Sequence, residues 1–170
     1  KPITSVAAMV LYEQGAFALK DPVSKFIPSF GDSRVYRSGD HVNPVTDGLT
    51  DEMTIWHLLT HTSGLTYGFH HRHVTDAIYR SQGFEGGAPD GLDLAACCEA
   101  WASMPLAFQP GAEWNYGVSA DVLGRVIEVA SGMPLDRFFE ERVLGPLKMV
   151  DTGFAVRPDQ EHRVARLYEP

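Results

Sequence analysis

At 170 residues with 44% apolar content, the chain can bury one core and gives no sign of two independent domains. Its formal charge of −8 is interspersed along the chain, which favours solubility and argues against a nucleic-acid backbone or an anionic membrane surface as partner. No apolar run approaches the roughly 20 residues of a membrane helix, and no charged n-region with a small-residue cleavage site opens the chain.

In chain order, Ile3, Val6, Ala7, Val10 and Leu11 recur at helical spacing until Gly15, which places Lys1 at the start of a buried helix. Asp21-Pro22 reads as an N-cap followed by proline at the first helical position, opening a short helix through Phe26 that Pro28 ends. Residues 31–50 form a long polar loop without core residues, with room for a short hairpin at the last turn signal, Asp47-Gly48. Thr54 caps a helix over Ile55 to Thr60, and Ser63-Gly64 stops it. Residues 66–91 are loop-rich, with a brief helix over 76–80. Leu94, Cys97, Cys98 and Trp101 then share one helical face up to Pro105. A longer helix carries Val118, Val122, Leu123, Val126, Ile127 and Ala130 and stops at Gly132, and Pro134 opens another with Leu135, Phe138, Phe139 and Val143. Thr152 to Val156 alternate like a strand edge. No internal repeat or low-complexity tract divides the chain.

Two cysteines, Cys97 and Cys98, are neighbours and offer neither a disulfide framework nor zinc spacing, which leaves the compartment open and tilts it toward the cytoplasm. His57 and His61 stand four apart like a helical metal pair, but no glutamate base lies between them, so no metal is expected. His70, His71 and His73 read as a solvated loop that could also line a cleft. Trp101, Phe108 and Trp114 are expected to pack the core. Gly117-Val-Ser119-Ala-Asp121 lacks the closing glycine of a nucleophile elbow, so Ser119 is read as a helix cap.

Four runs carry more information in this order than any one alone: Lys1-Pro-Ile-Thr4, Thr54 to Leu65 (Thr-Ile-Trp-His-Leu-Leu-Thr-His-Thr-Ser-Gly-Leu), Pro110-Gly-Ala-Glu-Trp-Asn-Tyr116, and Gly145-Pro-Leu-Lys-Met149 with Asp151-Thr-Gly153. Together the chain resembles the serine beta-lactamase and penicillin-binding-protein superfamily, in its branch of beta-lactamase-like serine esterases. The resemblance spans nearly the whole chain. It implies a mixed α/β fold of which residues 1–170 supply mainly the helical region. The nucleophile would lie in a Ser-x-x-Lys motif three residues before Lys1, and the family's glycine-bearing strand beyond Pro170. These residues alone are therefore expected to be inactive.

The chemistry fits those residue types. A serine hydroxyl needs a nearby base, and a lysine one helical turn later reaches it from the same face. Lys1 is expected to be desolvated and cation-flanked, with its pKa lowered toward neutrality so that it relays a proton. Tyr116 offers a phenol or phenolate, the ionised form favoured by the nearby Lys1 charge, that takes the serine proton during acylation and returns it to the leaving alcohol. On position alone Lys1 is a charged first residue and Tyr116 a packing residue. It is the constellation, with His61, that reverses this. The resemblance also implies a covalent acyl-enzyme with backbone amides at the oxyanion. Penicillin-directed members carry Tyr-x-Asn to hold the substrate amide, whereas the third position here is Val118, the substrate-binding candidate. An apolar residue cannot make that hydrogen bond, so a small-molecule ester is the expected substrate ahead of a beta-lactam or D-Ala-D-Ala peptide. A non-catalytic binding relative of the family is the remaining alternative. No cofactor is implied.

Overall fold

The computed structural model describes residues 1–166 and 168. Helix α1, Pro2–Glu13, has proline in its first turn, where the missing N–H costs nothing, and buries Ala7, Ala8 and Leu11. Val6, assigned to the buried face by periodicity, is exposed, and Ala8 takes the inward position. The Asp21-Pro22 start produces a single tight turn, Val23–Lys25, with Pro22 before it rather than in it. Asp21 turns away from that helix start, accepting from the Ala18 N–H at 3.1 Å and from Lys25 Nζ at 2.7 Å.

Residues 31–50 depart most from expectation. Strand β1, Arg34–Gly39, pairs antiparallel with β2, Pro44–Gly48, in register Arg34↔Gly48 to Gly39↔Pro44, with an irregularity between Tyr36 and Ser38. The turn is not at Asp47-Gly48, which lie inside β2, but at residues 40–43. There Asp40 Oδ1 accepts the Val42 and Asn43 N–H groups at 2.9 and 2.7 Å, an aspartate turn that fixes the register. The hairpin is not coreless either. Tyr36 donates its N–H to the Leu106 carbonyl and Leu106 returns one to Arg34, both at 2.8 Å, which carries Val35 into the core.

The remaining helices are α2 (Ile55–Leu59), α3 (Val74–Ser81), α4 (Leu94–Ser103), α5 (Ser119–Ser131) and α6 (Leu135–Phe139), whose last turn continues as a widened helical turn over Glu140–Leu144. α5 is central: Val122, Leu123, Val126 and Ile127 are fully buried, and α1, α2, α4 and α6 pack around them. Each such side chain contributes about 1.5–3 kcal/mol of transfer free energy. The fold is thus mixed, rich in helix with one small antiparallel sheet. No strand forms over Thr152 to Val156. The segment turns instead, and Phe154 stacks on Phe139 at 5.4 Å between ring centres. Among the described residues no helix is long and apolar enough to cross a membrane.

Candidate active site

The site forms where the end of α2 meets the segment leading into α5. α2 stops at Leu59, and His61, rather than Ser63-Gly64, turns the chain, with φ of +55° in the left-handed region that costs a non-glycine residue strain. The turn aims two carbonyls at the incoming segment. Thr62 accepts the Gly111 N–H at 2.7 Å and His61 accepts that of Asn115 at 2.9 Å. Asn115 Nδ2 adds a bond to the Leu65 carbonyl at 3.1 Å, so the irregular segment that carries Tyr116 is tied down on both sides of the turn. Gly117 then lies so close to Leu65 and Thr66 that a Cβ would come within 2.8 Å of the Thr66 Cα, inside contact distance.

Lys1, before α1, reaches the same place. Its Nζ donates to the Tyr67 hydroxyl at 3.0 Å and stands 4.6 Å from the centre of the Tyr116 ring. Lys1 and Tyr116, separated by 115 positions in the chain, are neighbours. The electrostatics differ from the sequence expectation. Burial pulls the amine down and is the largest single effect, but the hydrogen bond to Tyr67 and the proximity of Tyr67, Asp121 and Tyr116 together outweigh it. Lys1 is held above its ordinary value, because its close neighbours are oxygen-bearing and acidic rather than cationic. Tyr67 is raised as well, chiefly by burial, so both groups keep their protons at neutral pH.

Around Tyr116 the histidines take separate roles. His70 Nε2 lies 2.7 Å from the Tyr116 carbonyl, which can only accept, so this nitrogen carries a proton. The His61 ring packs against Tyr116 at 5.2 Å and Trp114 at 6.3 Å, with Nδ1 buried and unpartnered among the described residues. Burial, then the Lys1 charge, lowers the pKa of His61. His57 is turned inward, accepting the Thr54 N–H at Nδ1 over 3.1 Å, and is likewise lowered by burial. His73 accepts the Thr75 N–H at the start of α3, and His71 is exposed beside Glu85 at 3.6 Å. Of the three loop histidines, then, His70 is the one in contact with Tyr116.

Two other sequence assignments change. Trp114 is 68% exposed and covers His61 from outside, although Trp101 is buried as expected. Ser119 does not cap α5: it is the first residue of the helix, buried, and bonds Ser63 Oγ at 2.9 Å, while Val118 occupies the preceding position. Val118 is 4% exposed and borders a cavity of about 380 Å³ whose walls include Tyr67, Phe84, Leu94, Trp101 and Asp121. A second cavity of about 410 Å³ opens beside Lys1, between Thr4, Asp121, Leu135 and Phe154. Another, about 670 Å³, lies among residues from Glu140 to Val164 and is lined by none of these polar groups.

Tyr67 and Asp121 are the residues that sequence reasoning missed. Nothing in Leu65-Thr-Tyr-Gly68 distinguishes Tyr67 from a packing aromatic, and Asp121 stood out only as the residue that spoils a nucleophile elbow.

The beta-lactamase family profile matches residues 1–170. The chain is 39% identical over 170 residues to protein Rv1367c of Mycobacterium tuberculosis, covering 99% of this chain and 40% of that protein. It is 37% identical over 155 residues to esterase EstB of Burkholderia gladioli, covering 91% and 36% respectively. Among solved structures it resembles EstCE1, a hydrolase with promiscuous acyltransferase activity, with TM-score 0.72 and 32% identity over 87% of this chain and 36% of that one. The chain thus spans about 40% or less of the length of these relatives.

Proposed function

The chain belongs to the beta-lactamase family, and on that premise we propose that it carries the lysine and tyrosine of a serine hydrolase that cleaves or transfers acyl groups of carboxylic esters. The observation that carries this reading is the convergence of Lys1 and Tyr116, with the Lys1 ammonium 4.6 Å from the phenol ring. Similarity to an esterase and to a hydrolase with acyltransferase activity supports ester chemistry over amide chemistry.

In this mechanism the nucleophile is a serine one helical turn before Lys1. Its hydroxyl attacks the ester carbonyl as its proton passes to Tyr116, which enters the step as the phenolate beside the Lys1 ammonium, and the carbon–oxygen bond to the alcohol breaks as the Tyr116 phenol returns that proton to the leaving group. Water or a second alcohol then attacks the acyl-serine by the reverse relay, giving hydrolysis or transfer. Lys1, charged at neutral pH, acts here as a fixed cation beside the serine and the phenol rather than as the resting base. The buried Val118 supplies an apolar wall where an amide-binding residue would otherwise stand, and the cavity it borders suits a hydrocarbon acyl group.

The test uses the protein encoded by its natural reading frame. A fluorophosphonate probe should label one serine, three residues before Lys1, and a short-chain nitrophenyl ester should turn over faster than a chromogenic cephalosporin. Tyr116→Phe should lower kcat/KM by about 10²–10⁴ for the ester. A protein that takes no probe and turns over no ester is a non-catalytic relative. Preference for the cephalosporin would make it a beta-lactamase.

A further inference from the structure

Three groups from three parts of the chain line up behind the cleft. The Lys1 ammonium donates to Tyr67 Oη at 3.0 Å, and Tyr67 Oη, having accepted, donates its own proton toward Asp121 Oδ2 at 3.4 Å, a long bond but one with matched polarity at each step. The Tyr67 ring is fixed independently of its hydroxyl. It stacks on Phe69 at 4.9 Å and tilts against Tyr116 at 5.6 Å. Asp121, in the first turn of α5, forms no ion pair among the described residues, so its charge is turned to Tyr67 rather than spent on a neighbouring cation.

We propose that Tyr67, braced by Asp121, is the positioning residue that fixes the Lys1 ammonium beside Tyr116 for acyl transfer, an inference that rests on the hydrolase reading above. A lysine side chain has four rotatable bonds and loses rotamer freedom when held in one place, so a directional partner is needed to keep it there. The ring of Tyr116 offers no directional acceptor to hold it, whereas the Tyr67 oxygen does. The phenol also transmits a carboxylate charge to the ammonium without contact between them, so the lysine remains close to Tyr116 and is not captured in a direct ion pair with Asp121. The other titratable groups facing Lys1 are His61, whose pKa is lowered first by burial and then by the Lys1 charge, and Glu128 and Asp136 across the adjoining cavity. Glu128 is engaged by Arg125 at 2.9 Å and the Leu135 N–H at 3.0 Å, and Asp136 accepts the Arg137 N–H at 2.8 Å, which leaves Asp121 as the carboxylate acting through Tyr67.

Tyr67→Phe keeps the stacked ring and removes only the oxygen. Asp121→Asn, at an exposed position, keeps the shape and removes only the charge. In the protein from its natural reading frame, trace acetylation with acetic anhydride across pH, read by peptide mass, gives the titration midpoint of the Lys1 ε-amine with or without catalysis. Removing the Tyr67 oxygen should lower that midpoint by about one unit, a tenfold change in the protonation equilibrium, and Asp121→Asn should lower it by less. On a nitrophenyl ester both variants should lose kcat, by about tenfold for Tyr67→Phe, with KM changed less than about threefold, and lose activity at lower alkaline pH than the parent. An unmoved midpoint in both variants, with the parent active, overturns the proposal and leaves the hydrolase reading intact. A moved midpoint in a protein that turns over no ester and takes no fluorophosphonate upholds the lysine–tyrosine–aspartate chain and sinks the hydrolase reading instead. Should Tyr67→Phe not fold, Asp121→Asn decides by the same two readouts.

Discussion

His61 shows how one residue can serve both fold and site. It absorbs the left-handed turn that ends α2, its carbonyl anchors Asn115, and its ring packs on Tyr116. The ring is neutral because burial and the Lys1 charge both disfavour imidazolium, so its folded pKa lies below the ordinary histidine value. The unfolded chain then binds more protons than the folded one between the two values, and stability rises with pH through that window. The contribution is fully present above about pH 6.5 and is lost as pH falls from there through the folded value. Thermal unfolding should accordingly show a midpoint that drops on acidification below about pH 6.5. His61→Asn, which tolerates the left-handed backbone and does not titrate, should flatten that slope, the remainder coming from His57, whose pKa burial also lowers. An equal slope in the variant would show that His61 is not the titrating group.

At the scale of elements, the approach of the Tyr116 segment to residues 65–66 decides whether the cleft exists. Gly117 is the point of closest contact, and an added Cβ must displace either that segment or the Leu65–Thr66 backbone. Gly117→Ala should therefore cost about 1–3 kcal/mol in urea unfolding, as overpacking of a close contact does. Ester turnover should fall by more than that loss predicts, because Tyr116 moves with the segment. Turnover at the parent rate would mean that the approach is not needed for the site. The hairpin teaches a related lesson. The polar run over 31–50 concealed a sheet because β1 has one buried position, Val35, and its pairing is fixed by the Asp40 turn and by Leu106, far along the chain. Helices were easier to read: α5 carries its buried face in its own periodicity and its stop in Gly132, which takes φ of +67°.

Across the whole molecule, α5 buries one face against four other helices, and both cysteines lie in that core on α4. Burial raises both thiols, first by desolvation and then by neighbouring negative groups, so neither is a ready nucleophile. The native protein should leave Cys97 and Cys98 unreacted with a thiol reagent such as DTNB at pH 8 over minutes, and both should react once it is denatured. Fast native labelling would mean that α4 opens locally. The sequence by itself determined the family resemblance, the principal helices, the pairing of Lys1 with Tyr116 as candidates and the apolar Val118, because these depend on residue identity, local periodicity and motif order. The tertiary structure alone decided the position of the hairpin, the exposure of Trp114, the buried bond between Ser63 and Ser119, the placement of Tyr67 and Asp121, and the charge state of Lys1. The reason is physical: a pKa and a hydrogen bond are set by what lies within a few ångströms in space, and the neighbours of Lys1 come from positions 66, 115 and 120 residues away in the chain.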